Sequence, residues 1–325
     1  MKQLLWIFLA LLFVSAANAS QEGTYGYGYW APKHISDYLK DVDGNSPKEG
    51  ARQCENVYAN ALNRGVLDIR YALGYFDDSR GEDSIVNGIN YGLSPSLDIE
   101  IFHALRKQLT ANCWSFSKRL CGFKESGDAE TGKVVLTKQE KIHGRKITVR
   151  ITLTQASASS SFAQNKGASA SRQSMLTQQS EENFFGGLRT ADVVIYNGHS
   201  RNGGGPDFNP PILNSHNKVN YKGYYEKKRP GIIRTIENLK HNPNQGFILG
   251  MFSCYSRKHF YQTFMDANPQ QGLVLSADTI DYFDALKGSV GYLEGILRGS
   301  CGDELSESAK QNDKIRIGFE DYNIH

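Results

Sequence analysis

ADVVIYNGHS (Ala191–Ser200) and GFILGMFSC (Gly246–Cys254) decide the fold. Each is an unbroken apolar run that ends on a residue with base or nucleophile chemistry. Strands exposed on one face alternate apolar and polar residues, whereas parallel strands covered on both faces are apolar throughout. GIIRTIENLK lies between the two runs and has helical spacing, with Pro230 suited to its start and HNPN to its end. RKHFYQTFMDA, GLVLSA and DALKGSVGYLEGILRG then read as helix, strand and helix. This alternation predicts an α/β domain over 131–325, a three-layer α/β/α sandwich around a mostly parallel sheet.

Further from these runs the pattern changes. KVVLTKQEKI and KITVRITLTQ, separated by HGR, predict a hairpin. A small-residue loop, ASASSSFAQNKGASAS, precedes a helical RQSMLTQQSEENFFGGL. Near the end, Ile315, Ile317 and Phe319 alternate and suggest a late edge strand. Residues 20–130 read as a mixed α+β accessory or pro-region. It holds two helices, EGARQCENVYANAL and SLDIEIFHALRKQL; the second aligns Leu97, Ile101, Leu105 and Leu109, with Ser94 or Ser96 as its cap. YFDDSRGEDS lacks EF-hand spacing and reads as a solvated turn, and EGTYGYGYWAP as a surface arm.

The 325 residues carry a formal charge of only +3, with no basic stripe, which argues against a nucleic-acid partner. Residues 1–19 have the form of a signal peptide: Lys2, an apolar Leu4–Val14, and Ala17 and Ala19 before a cleavage expected after Ala19. The mature chain is then expected to be secreted or periplasmic, without stable membrane insertion. Such compartments preserve disulfides. The five cysteines are an odd number, so at least one has no partner within the chain. Cys113 and Cys121 are close enough in sequence to bridge.

Ligands of open α/β sheets bind beyond the carboxyl ends of the strands. His199 and Cys254 stand there, on strands joined by one crossover helix. A helix beginning after Cys254, with Arg257, Lys258 and His259 in its first turn, favours a thiolate. His199 can then act as the general acid. The backbone N–H groups of Cys254 and Ser200 are candidate oxyanion donors.

These residues bear a resemblance. DVVIYNGHS and FILGMFSC, with His199 and Cys254 separated by 55 residues (254 − 199), resemble the two signature blocks of the caspase–legumain–gingipain superfamily of cysteine peptidases. The caspase spacing is about 50. The resemblance covers about residues 145–300. It implies a caspase–hemoglobinase-like fold, a His199–Cys254 dyad, peptide or protein substrates and no cofactor. Ser200 stands where the family has Gly, and MFSCYS replaces the caspase block, which argues against caspase-type Asp specificity. The resemblance also implies that SADTIDYFDA borders the substrate pocket, where Asp278 or Asp281 would pair with a basic side chain. A helix N-cap is the competing role for Asp281 or Asp284.

HSRNGGGPDFNPP lacks the Lys-Ser/Thr of a P-loop and reads as a rim loop. His199, Cys254, His259 and His216 lack the spacing of a zinc site, so no metal is expected. The competing function is a non-catalytic secreted binding protein on the same fold, which predicts a Cys254 that is buried or bridged to Cys301. A thiol-dependent acyl transferase would use the same dyad.

Overall fold

The computed structural model describes residues 50, 54–75, 83–86, 89–93, 97–113, 118–157, 170–210, 215–216, 230–244, 246–280, 282–310 and 319–322. The signal peptide and its cleavage after Ala19, the Tyr/Gly arm, the caps Ser94 and Ser96, Ile315, Ile317 and Asp281 lie outside them.

Among the described residues, ten strands and seven α-helices follow in order: α1 (Glu55–Arg64), β1 (Val66–Leu73), β2 (Asp83–Val86), β3 (Ile89–Leu93), α2 (Leu97–Thr110), β4 (Lys124–Asp128), β5 (Lys133–Ile142), β6 (Arg145–Thr154), α3 (Ala170–Thr190), β7 (Val193–Asn197), α4 (Pro230–Leu239), β8 (Ile248–Phe252), α5 (Ser256–Ala267), β9 (Gly272–Ser276), α6 (Tyr282–Arg298), α7 (Asp303–Lys310) and β10 (Phe319–Tyr322). Eight strands form one sheet in the order β10-β9-β8-β7-β1-β6-β5-β4. From β9 to β6 every neighbouring pair is parallel, and the strands outside that block are antiparallel. β2 and β3 form a separate pair.

Burial explains the order. Every residue of β7, β8 and β9 is buried. One sheet face packs on α1, α2 and α6, through Tyr58, Leu105, Leu286 and Leu293. The other packs on α3, α4 and α5, through Phe184, Leu239 and Phe260. Two apolar layers on one sheet make the expected α/β sandwich. The β5–β6 hairpin pairs Lys133 with Thr154 through to Ile142 with Arg145. It turns on His143 and Gly144, both at positive φ, 48° and 77°. Such a two-residue turn matches the strand twist. No described helix is long and apolar enough to cross a membrane.

The boundary expected near residue 130 is corrected. β1 lies in the middle of the sheet, hydrogen-bonded to β6 on one side and β7 on the other. α1 packs on the same core, and a disulfide ties Cys54, just before α1, to Cys301. β4 extends the same sheet at its edge. These parts of residues 20–130 belong to the sandwich rather than to an appendage. Asp68 and Arg70 break the apolar run of β1. Buried Asp68 accepts from Arg70 (2.9 Å) and pairs with Arg150 (3.1 Å). The stem of Arg70 packs where a Cβ on Gly187 of α3 would fall, 2.7 Å from its Cγ. Two charged residues thus sit in a central strand, because ion pairing satisfies one and a glycine makes room for the other. The solvated turn expected over 75–84 also gives way at its end, where Asp83 and Ser84 begin β2.

Candidate active site

His199 and Cys254 leave the sheet at the same level. Asn197, the last residue of β7, is in register with Phe252, the last of β8. The ladder continues one step further, where Gly198 N–H donates to the Phe252 carbonyl at 3.3 Å. His199 and Cys254 each follow two residues after that register pair. Cys254 lies against one face of the sheet. Val193, Ile195, Ile248 and Phe252 belong to the core beneath α1, α2 and α6, and Cys254 packs against it. Asn197 reaches the same side, donating to Ser289 of α6 at 3.0 Å. Both His199 and Cys254 are partly buried.

The loop after His199 is held from below. The Tyr196 hydroxyl donates to the His199 carbonyl (2.9 Å) and accepts the Asp207 N–H (3.0 Å). A Cβ on Gly198 would come within 2.4 Å of that hydroxyl, and one on Gly74 within 2.7 Å. Glycine is required at both places by the close approach of Tyr196. Arg201 and Asn202 then adopt left-handed backbone, φ 47° and 52°. L-residues visit this region at a cost that surrounding contacts must offset. One such contact is a buried ion pair, Arg201 Nε to Asp207 Oδ2 at 3.1 Å. Burial pushes the Asp207 carboxyl above the usual carboxylate range, opposed by the Arg201 charge, the Asn209 N–H and the His199 charge.

The turn after Cys254 has the same character. Tyr255 is left-handed, φ 50°. The Ser276 hydroxyl donates to the Ser253 carbonyl. Ser256 Oγ donates to the Met251 carbonyl (2.7 Å) and accepts the Ser276 N–H (2.7 Å). These buried hydroxyls fasten the turn to the end of β9. α5 begins at Ser256, so its N-terminus follows Cys254 closely. Arg257 and Lys258 are exposed beside it. His259 is partly buried and meets the other loop: a Cβ on Gly203 would lie 3.4 Å from its Nδ1. Burial, and then the Lys258 charge, lower the pKa of His259. The two loops therefore pack together across the ends of β7 and β8.

The remaining candidates fall around this point. Cys113 and Cys121 are bridged, as are Cys54 and Cys301, and Cys254 is free. The Cys254–Cys301 bridge expected for a binding protein is thereby replaced. Among the described residues, nothing accepts from the backbone N–H of Ser200 or Cys254. Asp278 is exposed; its carbonyl accepts the Tyr255 N–H (2.8 Å) and its carboxylate the Thr279 N–H (2.7 Å). The glycine-rich loop is a rim to the site, folded over α4 through Gly204 O to Ile232 N (3.3 Å). No cluster of metal-ligating side chains occurs among the described residues. Tyr196, the Arg201–Asp207 pair and Ser276 are additions to the sequence reading. A tyrosine within a buried aliphatic strand was the available signal for the first, since a buried hydroxyl needs a partner.

No family model, curated protein or solved structure matches the chain.

Proposed function

We propose that the protein is an exported cysteine endopeptidase in which Cys254 is the nucleophile and His199 the general acid. The observation that supports the reading is the Asn197–Phe252 register, since His199 and Cys254 each follow two residues beyond it at the carboxyl ends of neighbouring parallel strands. The Cys254 sulfur, as thiolate, adds to a peptide carbonyl. The resulting oxyanion is met by the N–H groups of Cys254 and Ser200, which are open among the described residues. The C–N bond then breaks, His199 protonates the departing amine, and a thioester remains on Cys254. Water attacks the thioester, His199 takes a proton from it, and the carboxylic product leaves with the thiol restored. Asp278, exposed beside the nucleophile turn, is the candidate partner for a basic substrate side chain.

The test is digestion of a proteome-derived peptide mixture, read by mass spectrometry, with the disulfide-intact mature protein. Cleavage by wild type and none by Cys254→Ala or His199→Ala is the expected result. Alkylation of Cys254 by iodoacetamide should also slow in His199→Ala, since the thiolate is the species that reacts. No cleavage, with Cys254 alkylated equally fast in both proteins, would retire the reading in favour of a binding protein.

A further inference from the structure

The Cys254 thiol is engaged. Its Sγ donates to the Ile280 carbonyl at 3.2 Å. One residue on, the Tyr255 N–H donates to the Asp278 carbonyl at 2.8 Å. Two carbonyls of one short segment therefore grip two consecutive residues of the nucleophile turn. The segment is anchored at Ile280, which is buried in the core beneath α6, and the Asp278 carboxylate braces it locally by accepting the Thr279 N–H. A thiol can make the first of these bonds. A thiolate cannot, and its negative sulfur would face the negative end of the Ile280 carbonyl dipole.

We propose that Asp278–Ile280 is a resting-state latch that holds the Cys254 thiol on the Ile280 carbonyl until an extended peptide enters. The inference rests on the peptidase reading and adds its regulation. A peptide carbonyl is the chemical match for the Tyr255 N–H now held by Asp278. A substrate that takes this donor binds the released state better than the latched one, which is what a ligand needs to shift the equilibrium. Release frees the sulfur to give its proton to His199 and leaves Ile280 O away from the thiolate.

The S–H stretching vibration tests this directly, because the other four cysteines are bridged and the band belongs to Cys254 alone. Raman spectra are recorded on the mature, unreduced protein at neutral pH, with free cysteine in water as reference. The expected band lies below that of free cysteine and moves up in Ile280→Gly. Iodoacetamide labelling of that variant should quicken about fivefold, the factor one ordinary hydrogen bond contributes. A missing band, meaning a resting thiolate, or a band at the free-cysteine position overturns the latch, and the wild-type spectrum decides this without any variant. Peptide cleavage together with an unbonded band removes the latch and keeps the peptidase. A low band with no peptide cleaved by either protein removes both.

Discussion

The hydroxyl of Tyr196 donates to the main-chain carbonyl of His199 at 2.9 Å, three residues along the chain. A strand residue buried against Phe184 and Phe208 thus fixes the backbone from which the candidate acid projects. The same oxygen takes the Asp207 N–H at 3.0 Å, so one atom joins the two limbs of the loop. Tyr196→Phe keeps the ring and removes the link. It should cost about 1–3 kcal/mol in urea unfolding, because the Asp207 N–H loses its acceptor inside the protein. In the peptide assay kcat should fall while KM holds, as expected of a group that positions rather than binds. An unchanged kcat would make Tyr196 a packing residue only.

Much of this fold is legible in the chain. β7, β8 and β9 announce themselves as apolar runs because both faces of each strand are covered. The β5–β6 hairpin is equally plain from its two β-branched runs and short turn. β1 is hidden, since Asp68 and Arg70 look like surface residues until their partners Arg150 and Gly187 arrive from distant elements. Cys54 and Cys301 are 247 residues apart, and no local pattern pairs them. At the site, His199 and Cys254 are legible from chemistry and position. Tyr196 and Asp207 are not, because the loop must fold back before the hydroxyl of one meets the N–H of the other.

The Arg201–Asp207 pair gives a pH-dependent prediction. Arg201 is buried, and its loss leaves a carboxylate with one fewer partner in a site that already raises its pKa. Arg201→Met should destabilise the fold by about 3–5 kcal/mol at neutral pH. Asp207 then has a folded pKa further above its unfolded one. Between those two values the folded state holds the proton that the unfolded state has released, so stability falls as pH rises through that window. Acidification should therefore narrow the gap between variant and wild type. Urea midpoints at mildly acidic and neutral pH would show it, and a gap that widens in acid would contradict it.

The Cys54–Cys301 bridge closes nearly the whole described sheet into one loop. A cross-link of that length constrains the unfolded chain strongly, by up to about 5 kcal/mol in the chain-entropy model. Cys54→Ser with Cys301→Ser should lower the thermal midpoint well beyond the loss in Cys113→Ser with Cys121→Ser, whose loop spans 8 residues. Calorimetry of the two double variants makes the comparison. Equal losses would mean that the long bridge only decorates a segment already held by β1.

Ser276 separates stability from site geometry. Its hydroxyl donates to the carbonyl of Ser253, the residue before the nucleophile, and lies 3.0 Å from Ser256 Oγ at the start of α5. It is fully buried, so no solvent replaces it. Ser276→Ala leaves the Ser253 carbonyl without that donor while keeping the strand and its N–H bond to Ser256. A loss of about 1–3 kcal/mol is expected for an orphaned buried carbonyl. The more telling readout is kcat in the peptide assay. If the hydroxyl cluster holds the turn against α5, kcat should fall while KM holds, because the nucleophile loses its fixed position over the helix N-terminus. A variant that loses stability and keeps the wild-type kcat would leave Ser276 a structural residue and place the aim of Cys254 in Tyr255 and the 278–280 segment instead.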